Sequence, residues 1–326
     1  MIDRLDVQRY IEESFPDCTV KSRMALPYRN SRIYHLDLCR EQSRERIVVK
    51  ISRNYQPRQV AAEYAHLSRF YQAQKQESIF SPRPLLVDEE KGILAMSHVP
   101  GVNLAYMLHE IRPVSLDALN RALDLSAAAL AQYHRIFCHD GRRGVQIDRA
   151  APEEDINRLL LMSRSIIPEC NLQTMVTPFF DFTPWNIIID DPEKEMMLYL
   201  IDFPRSDYVC TPHLDLARFL FSLELIKQFP PARFLKINRW NVEASFDRFL
   251  CGYCRKMKMQ PNRHDLDLIA LARQAYIRRA CDLGRKGRCG WQPKIELAYL
   301  KAFSRPWLDQ NGGSAQWPRP GWPDKA

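Results

Sequence analysis

No stretch of this 326-residue chain approaches the roughly 18 uninterrupted apolar residues that a membrane-spanning helix needs. A secretion signal is also missing: Met1-Ile-Asp-Arg-Leu-Asp6 puts acids where such a signal has a basic flank, and no apolar run follows. A cytoplasmic protein is expected. No internal repeat is visible. The nine cysteines are odd in number and scattered, mostly among apolar neighbours as at Cys39, Cys138 and Cys210, which suits reduced thiols better than a disulfide framework. One close pair, Cys251-Gly-Tyr-Cys254, falls in an expected helix. As a zinc or redox motif it would need partners such as His264, Cys281 or Cys289, so the preferred reading is two small buried hydrophobes.

What is present is an ordinary globular composition, 46% apolar and far from that of a disordered chain. The length calls for one large domain or two joined ones. The net charge of +8 is unevenly spread. From Pro231 onward, 19 Lys and Arg face 8 Asp and Glu, so the part before it is slightly acidic. Such asymmetry favours an acidic partner.

Val7, Tyr10 and Ile11, spaced i, i+3, i+4, predict a short amphipathic helix over residues 3–14. Strand-like runs follow at 19–22, at 31–38 with period-two alternation, and at 47–51, with a turn over 26–30 between the first two. A helix is predicted over 59–73 from its apolar face of Ala61, Ala62, Tyr64, Ala65, Leu67 and Phe70, then strands at 85–87 and 92–97. The break at Val99-Pro100-Gly101 is the expected domain boundary. Beyond it, helices are predicted at 104–111, 116–137, 213–228, 241–258, 264–282 and 294–303, with a strand pair within 187–201. Residues 311–323 are too rich in Gly and Pro for a regular element. The expected division is a sheet-rich N-terminal lobe over 1–100, a larger helical lobe over 101–305 and an irregular tail over 306–326.

The most informative stretch is Phe179-Phe-Asp181-Phe-Thr-Pro-Trp-Asn186-Ile-Ile-Ile189, followed by Leu200-Ile-Asp202-Phe203. It provides a carboxylate, a carboxamide five residues later, an apolar strand, and a second carboxylate ending another apolar strand. A tight loop with that spacing sets a proton acceptor beside two metal-binding oxygens, a set that few chemistries other than phosphoryl transfer need. Lys50 is the lone cation of an otherwise apolar strand, so it must snorkel to water or meet anions. Glu63, thirteen residues on in the predicted helix, can pair with it and hold its ammonium toward phosphates. The competing reading of Lys50 is a surface lysine on an edge strand.

Together these motifs resemble the aminoglycoside phosphotransferase family, within the protein-kinase-like superfamily, over about residues 32–221. The segment from Asp181 to Ile189 is similar to that family's catalytic loop, His-Gly-Asp-x-x-x-x-Asn followed by a strand. Leu200-Ile-Asp-Phe203 resembles its metal-binding strand end, and His213-Leu-Asp215-Leu-Ala217 the Asp-Leu-Ala that opens the next helix. The resemblance implies an α+β, two-lobed kinase-like fold with a small sheet-rich N-lobe and a larger helical C-lobe, ATP lying between them. It implies that Asp181 takes or orients the proton of an acceptor hydroxyl and that Asn186 and Asp202 hold Mg²⁺ bridging the phosphates. Lys50, steadied by Glu63, would bind the non-transferred phosphates, and backbone groups of Ser97, His98 and Val99 would meet adenine. Asp215 is expected to brace the catalytic loop, and His134 to be structural.

The chain departs from the family pattern in two places. Phe179 stands where the family has histidine and Phe180 where it has glycine. An aromatic ring keeps the volume but cannot make the histidine's hydrogen bond, so the loop must be braced differently. The nucleotide-covering turn, Pro27-Tyr-Arg-Asn-Ser31, has no glycine, which restricts backbone approach to phosphate and leaves contact to the side chains of Arg29, Ser31 or Arg32.

The leading reading is an ATP- and Mg²⁺-dependent phosphotransferase acting on a hydroxyl of a small molecule. The departures motivate a second reading, a non-catalytic kinase-shaped protein that binds nucleotide or serves as a scaffold; transfer of AMP to protein is a third. Polycationic aminoglycosides need acidic acceptor pockets, and a basic C-terminal segment is a poor place to build one. The acceptor is therefore expected to be neutral or anionic: a sugar, a glycan or lipid-linked intermediate, or a phosphorylated metabolite. Arg278-Arg279 with Arg285-Lys286-Gly-Arg288 reads as a solvated helix end and loop, against the competing reading of a contact with nucleic acid or an anionic membrane surface. No nucleic-acid partner is expected.

Overall fold

The computed structural model describes residues 4–27, 31–40, 43–52, 57–74, 78–109, 114–139, 169–205, 209–228 and 240–285. Helix α1 (Arg4–Ser14) leads into strands β1 (Thr19–Pro27), β2 (Ser31–Cys39) and β3 (Arg44–Ser52). Helix α2 (Pro57–Ala73), the short β4 (Ile79–Phe80), β5 (Pro84–Asp88) and β6 (Ile93–Ser97) follow. The five-stranded sheet has the order β1-β2-β3-β6-β5, with every neighbouring pair antiparallel.

Period two decides what each face of this sheet buries. Tyr34, Leu36, Leu38, Ile47, Val49, Ile51, Ile93 and Ala95 pack with Val7 and Ile11 of α1 in one core. Leu94 and Met96 belong to the opposite face and join Val60, Leu67 and Phe70 of α2 in a second core that continues into the helical part. Lys50, between Val49 and Ile51, falls by the same parity on the α2 side and is only 6% exposed.

After the sheet, β7 (Val102–Asn103) passes into α3 (Leu104–Leu108), α4 (Leu116–Ile136) and β8 (Cys138–His139), which pairs with β9 (Met175–Val176). A single 3-10 turn (Pro184–Asn186) opens the hairpin β10 (Ile187–Asp190) and β11 (Met197–Leu200), and the chain ends its described part in α5 (His213–Gln228), α6 (Val242–Met257) and α7 (Arg263–Arg285). Side chains cap four of these helices: Asn103 accepts from the Tyr106 amide, Ser115 from the Ala118 amide and Asn262 from the Asp265 amide, each at 3.0 Å, and Asn241 from the Ala244 amide at 2.9 Å.

The hairpin is stitched to both sides of the chain, in the order β4-β11-β10-β7. Gly101, with φ +105°, lets the chain turn onto it, and a Cβ at this position would lie 2.3 Å from the Ile189 carbonyl oxygen. Neither that backbone oxygen nor the positive φ gives way cheaply. Gly101→Ala is expected to cost about 2 kcal/mol of stability, read as a lowered urea midpoint; an unchanged midpoint would contradict this close approach.

Most helices and strands fall where the sequence pattern puts them. Strand β1 runs on to Pro27 rather than stopping at 22, and α3 ends at Leu108 rather than 111. The two-residue strands and the 3-10 turn carry no readable period, so patterning misses them. Residues 28–30 with Arg29, the side chains of Arg278 and Arg279, the rest of the basic cluster through Arg288, the helix expected at 294–303 and the tail over 306–326 lie outside the described residues. Among the described residues no helix is long and apolar enough to cross a membrane.

Cys251 and Cys254 sit one turn apart on α6, with Cys254 buried. Ligand-type atoms gather instead at Cys170, His213 and Asp265. The Asp265 carboxylate there already accepts from the amides of Asn171, Leu172 and Asn262 at 2.7–3.1 Å and lies 2.9 Å from His213 Nε2. Burial and the adjacent Asp265 push the Cys170 thiol up to about 12, so it is protonated at neutral pH. The cluster is a clamp joining the 170–172 segment to the starts of α5 and α7.

Burial works to raise the Asp265 pKa, but the His213 hydrogen bond and the three amides outweigh it and hold the group below the ordinary carboxylate value. A depressed carboxylate stabilises the fold above its unfolded pKa, and that contribution is lost as pH falls through the folded value. Asp265→Asn is expected to cost about 1–3 kcal/mol at neutral pH and to lose less on acidification than the parent. Urea melts at neutral pH and near pH 4 check this; an equal deficit at both would contradict it.

Candidate active site

Four segments bring the charged groups together: β3 supplies Lys50, α2 supplies Glu63, the loop before β10 supplies Asp181 and Asn186, and the end of β11 supplies Asp202. Lys50 Nζ donates to Glu63 Oε1 at 2.5 Å and also to Asp202 Oδ1, a residue 152 positions away. Arg205 Nε donates to the other Glu63 oxygen at 2.9 Å, so one buried carboxylate holds a cation on each side. Burial alone would lower the Lys50 pKa; the charges of Asp202 and Glu63 outweigh it and keep the group above the ordinary lysine value. Burial pushes Asp202 upward, yet the Lys50 charge and hydrogen bond, helped by Arg205, hold it below the usual carboxylate range. Both are therefore charged at neutral pH. The Asp202 side chain keeps 42% exposure, leaving it open to a further ligand.

The loop is braced from the helices behind it. The amides of Phe179 and Phe180 each donate to a separate oxygen of Asp215 at 2.7 Å. Asp215, in the first turn of α5, is fully buried and lies 2.9 Å from His134 Nε2, whose Nδ1 lies 2.9 Å from the Tyr253 hydroxyl. The loop is thus held through its backbone by α5, backed by α4 and α6. Phe179 itself is 1% exposed, with its ring 5.0 Å from Tyr133, 5.4 Å from Phe203 and 5.7 Å from Phe182. Phe180 adopts φ +62°, the left-handed conformation a glycine takes freely. That costs a phenylalanine about 1–2 kcal/mol, which its amide bond to Asp215 helps offset.

Asp181 Oδ2 accepts from Asn186 Nδ2 at 2.9 Å, and the same nitrogen donates to the Asp181 carbonyl at 2.9 Å. The other oxygen, Oδ1, accepts from Arg218 Nε at 3.1 Å and from its terminal nitrogen at 2.6 Å. Asp181 remains 48% exposed. At the expected hinge, the amide of Ser97 bonds the Arg83 carbonyl and the amide of His98 the Arg46 carbonyl, both at 2.9 Å, while Val99 follows just beyond the sheet.

The donor set suits Mg²⁺. Asp202 and Asn186 offer hard oxygen atoms, and an ammonium already rests on Asp202, so the carboxylate is arranged to receive a cation. Sequence reasoning missed Arg205 and Arg218. Arg218 stands three positions after Asp215, one helical turn along the same face, and that spacing is the signal that could have found it. Arg205 lies in an irregular segment and leaves no comparable signal.

The profile of the phosphotransferase enzyme family matches residues 30–236. No curated protein matches the chain. Among solved structures, the GDP complex of aminoglycoside 2'-phosphotransferase-IIIa is 12% identical, with TM-score 0.55 over 92% of this chain and 98% of that one. Spectinomycin phosphotransferase APH(9)-Ia, in complex with ADP and spectinomycin, is 11% identical, with TM-score 0.48 over 90% and 93%. The PknI kinase domain of Mycobacterium tuberculosis is 10% identical, with TM-score 0.38 over 80% and 96%. The likeness to the 2'-phosphotransferase concerns the fold, an antiparallel sheet followed by a helical part, and the family profile spans more than half of the sequence. The chain belongs to the phosphotransferase enzyme family.

Proposed function

We propose that this phosphotransferase moves the γ-phosphoryl group of ATP, with Mg²⁺, to a hydroxyl of a small molecule that is neutral or anionic. The observation that carries the reading is Lys50 joined to both Glu63 and Asp202, with Asp181 and Asn186 on one short loop. Residues 1–100 would form the nucleotide-binding lobe and 101–305 the catalytic and acceptor-binding lobe, followed by the tail over 306–326, in a protein of the cytoplasm. That a similar fold occurs as a GDP complex supports the use of a nucleotide.

In this mechanism Lys50 leaves Asp202 for the non-transferred phosphates, while Glu63 stays neutralised by Arg205. Asp202 and Asn186 would hold Mg²⁺, which when bound neutralises phosphate charge that would repel a nucleophile. The adenine edge would meet the Ser97 carbonyl and the Val99 amide, since the Ser97 and His98 amides serve the sheet. Asp181, fixed by Asn186, orients the acceptor hydroxyl and takes its proton at a carboxylate oxygen. Catalysis on this account is positioning and charge neutralisation rather than covalent chemistry.

The basic segment after Pro231 supports a neutral or anionic acceptor over a polycationic one. Asp215, by bracing the loop through the amides of Phe179 and Phe180, supports the catalytic reading over the non-catalytic alternative. An acceptor screen with Mg²⁺ and ATP, following ADP, tests the reading. Transfer should be clear in the parent and nearly absent in Asp181→Asn and Asp202→Ala; parent turnover no greater than either variant would reject it.

A further inference from the structure

We infer that Arg205 is a positioning residue for the nucleotide: by holding one oxygen of Glu63, it lets Lys50 give its charge to the phosphates. The inference rests on the phosphotransfer reading of Lys50 and adds to it a residue that acts through Glu63.

The segment after β11 is fastened to α2 at successive turns. Glu63, His66 and Phe70 share one face of that helix, spaced i, i+3 and i+7. Glu63 Oε2 accepts from Arg205 Nε at 2.9 Å, and His66 Nδ1 lies 3.1 Å from the Pro204 carbonyl oxygen. The Phe70 ring lies 5.5 Å from that of Phe203. Asp202 takes a left-handed φ of +60°, so the chain turns sharply where these contacts begin. Arg205 is thus the end of a seam that joins residues 203–205 to the helix carrying Glu63.

The charges give this seam a task. Glu63 is 2% exposed, so each of its oxygens needs a donor from the protein. Lys50 serves Oε1 at 2.5 Å and Arg205 serves Oε2. Without Arg205, Lys50 would be the one partner left to Glu63 among the described residues. A buried carboxylate with an unserved oxygen would then draw the ammonium onto both oxygens. With Arg205 present, one of the three N–H donors of Lys50 meets Glu63 and one meets Asp202. Phosphates that take over from Asp202 find an ammonium held elsewhere at a single point. Burial, then the charges of Asp202 and Glu63, act most on the Lys50 pKa, and the Arg205 charge also lowers it. The two cations therefore repel across the carboxylate they share. That repulsion favours passing Lys50 to an anion.

The test measures Mg²⁺-ATP binding to the full chain by calorimetry, with adenosine as a competitor that lacks phosphate. Arg205→Met should still fold, because Lys50 keeps Glu63 paired. It should weaken Mg²⁺-ATP about tenfold and leave adenosine within about twofold, since only the phosphates use Lys50. Arg205→Lys should recover part of the loss, because it returns the charge without the guanidinium fork. In a Glu63→Gln background, with no carboxylate left to hold, Arg205→Met should cost about twofold or less. Unchanged Mg²⁺-ATP affinity in Arg205→Met would overturn the inference. So would an equal loss for adenosine, which marks a loosened cleft. An undiminished loss in the Glu63→Gln background would overturn it too, because Arg205 would then act on the nucleotide by its own charge. Where the parent binds Mg²⁺-ATP, each of these results sinks the inference alone; a parent that binds none sinks the underlying phosphotransfer reading and the inference with it.

Discussion

Asp202→Ala should lower ATP-dependent turnover by about a thousandfold, equivalent to ~4 kcal/mol of transition-state stabilisation. Asp202 is the carboxylate that Lys50 bonds before nucleotide arrives, and it is the charged member of the proposed metal pair with Asn186. Its removal leaves Lys50 on Glu63, which still neutralises it at 2.5 Å. The fold should therefore survive, because the buried ammonium is never left unpaired. The distinguishing pattern is a near-normal urea midpoint with lost turnover. A variant within about tenfold of the parent would deny Asp202 any role in charge neutralisation.

Asp215→Ala should act in the opposite way, through the architecture. One buried carboxylate satisfies the amides of Phe179 and Phe180 and one nitrogen of His134. Its removal leaves these groups without their acceptor in a dry setting, at about 1–3 kcal/mol for each unsatisfied donor. Phe180, held at φ +62°, loses the bond that offsets its strain. A total near 3–5 kcal/mol is expected, as for other broken buried pairs, together with a displaced Asp181 and reduced turnover. Unchanged denaturation in Asp215→Ala would mean that the aromatic packing of Phe179 alone sets the loop.

Much of this architecture was legible because it follows local rules. The apolar run 47–51 marked Lys50 as a lone cation in need of anions, and the helix from Pro57 brings Glu63 to it. The Asp181 to Asn186 spacing and the strand ending at Asp202 mark a loop and a hairpin. The α+β order, a sheet and then helices, could be read from periodicity alone. What resisted reading depends on distant partners. Arg205 and Arg218 are ordinary surface-type residues in sequence, and only the approach of α2 and of the 179–186 loop gives them roles. The left-handed turn at Phe180 was hidden behind a residue type that seldom adopts it, and the strand pairing of Val102–Asn103 with β10 is too short to leave a pattern.

The central claim is that Lys50, Asn186 and Asp202 act on a single metal-bound triphosphate. Thermal unfolding with ATP, with Mg²⁺, and with both tests it most directly, because a ligand that binds only the native state raises its stability by mass action. The account predicts a saturable rise of about 2.7 kcal/mol at a hundredfold excess of Mg²⁺-ATP over its Kd, a small effect of either component alone, and loss of the Mg²⁺-dependent part in Asp202→Ala. Equal stabilisation by ATP with and without Mg²⁺, or an undiminished Mg²⁺ effect in Asp202→Ala, would contradict it.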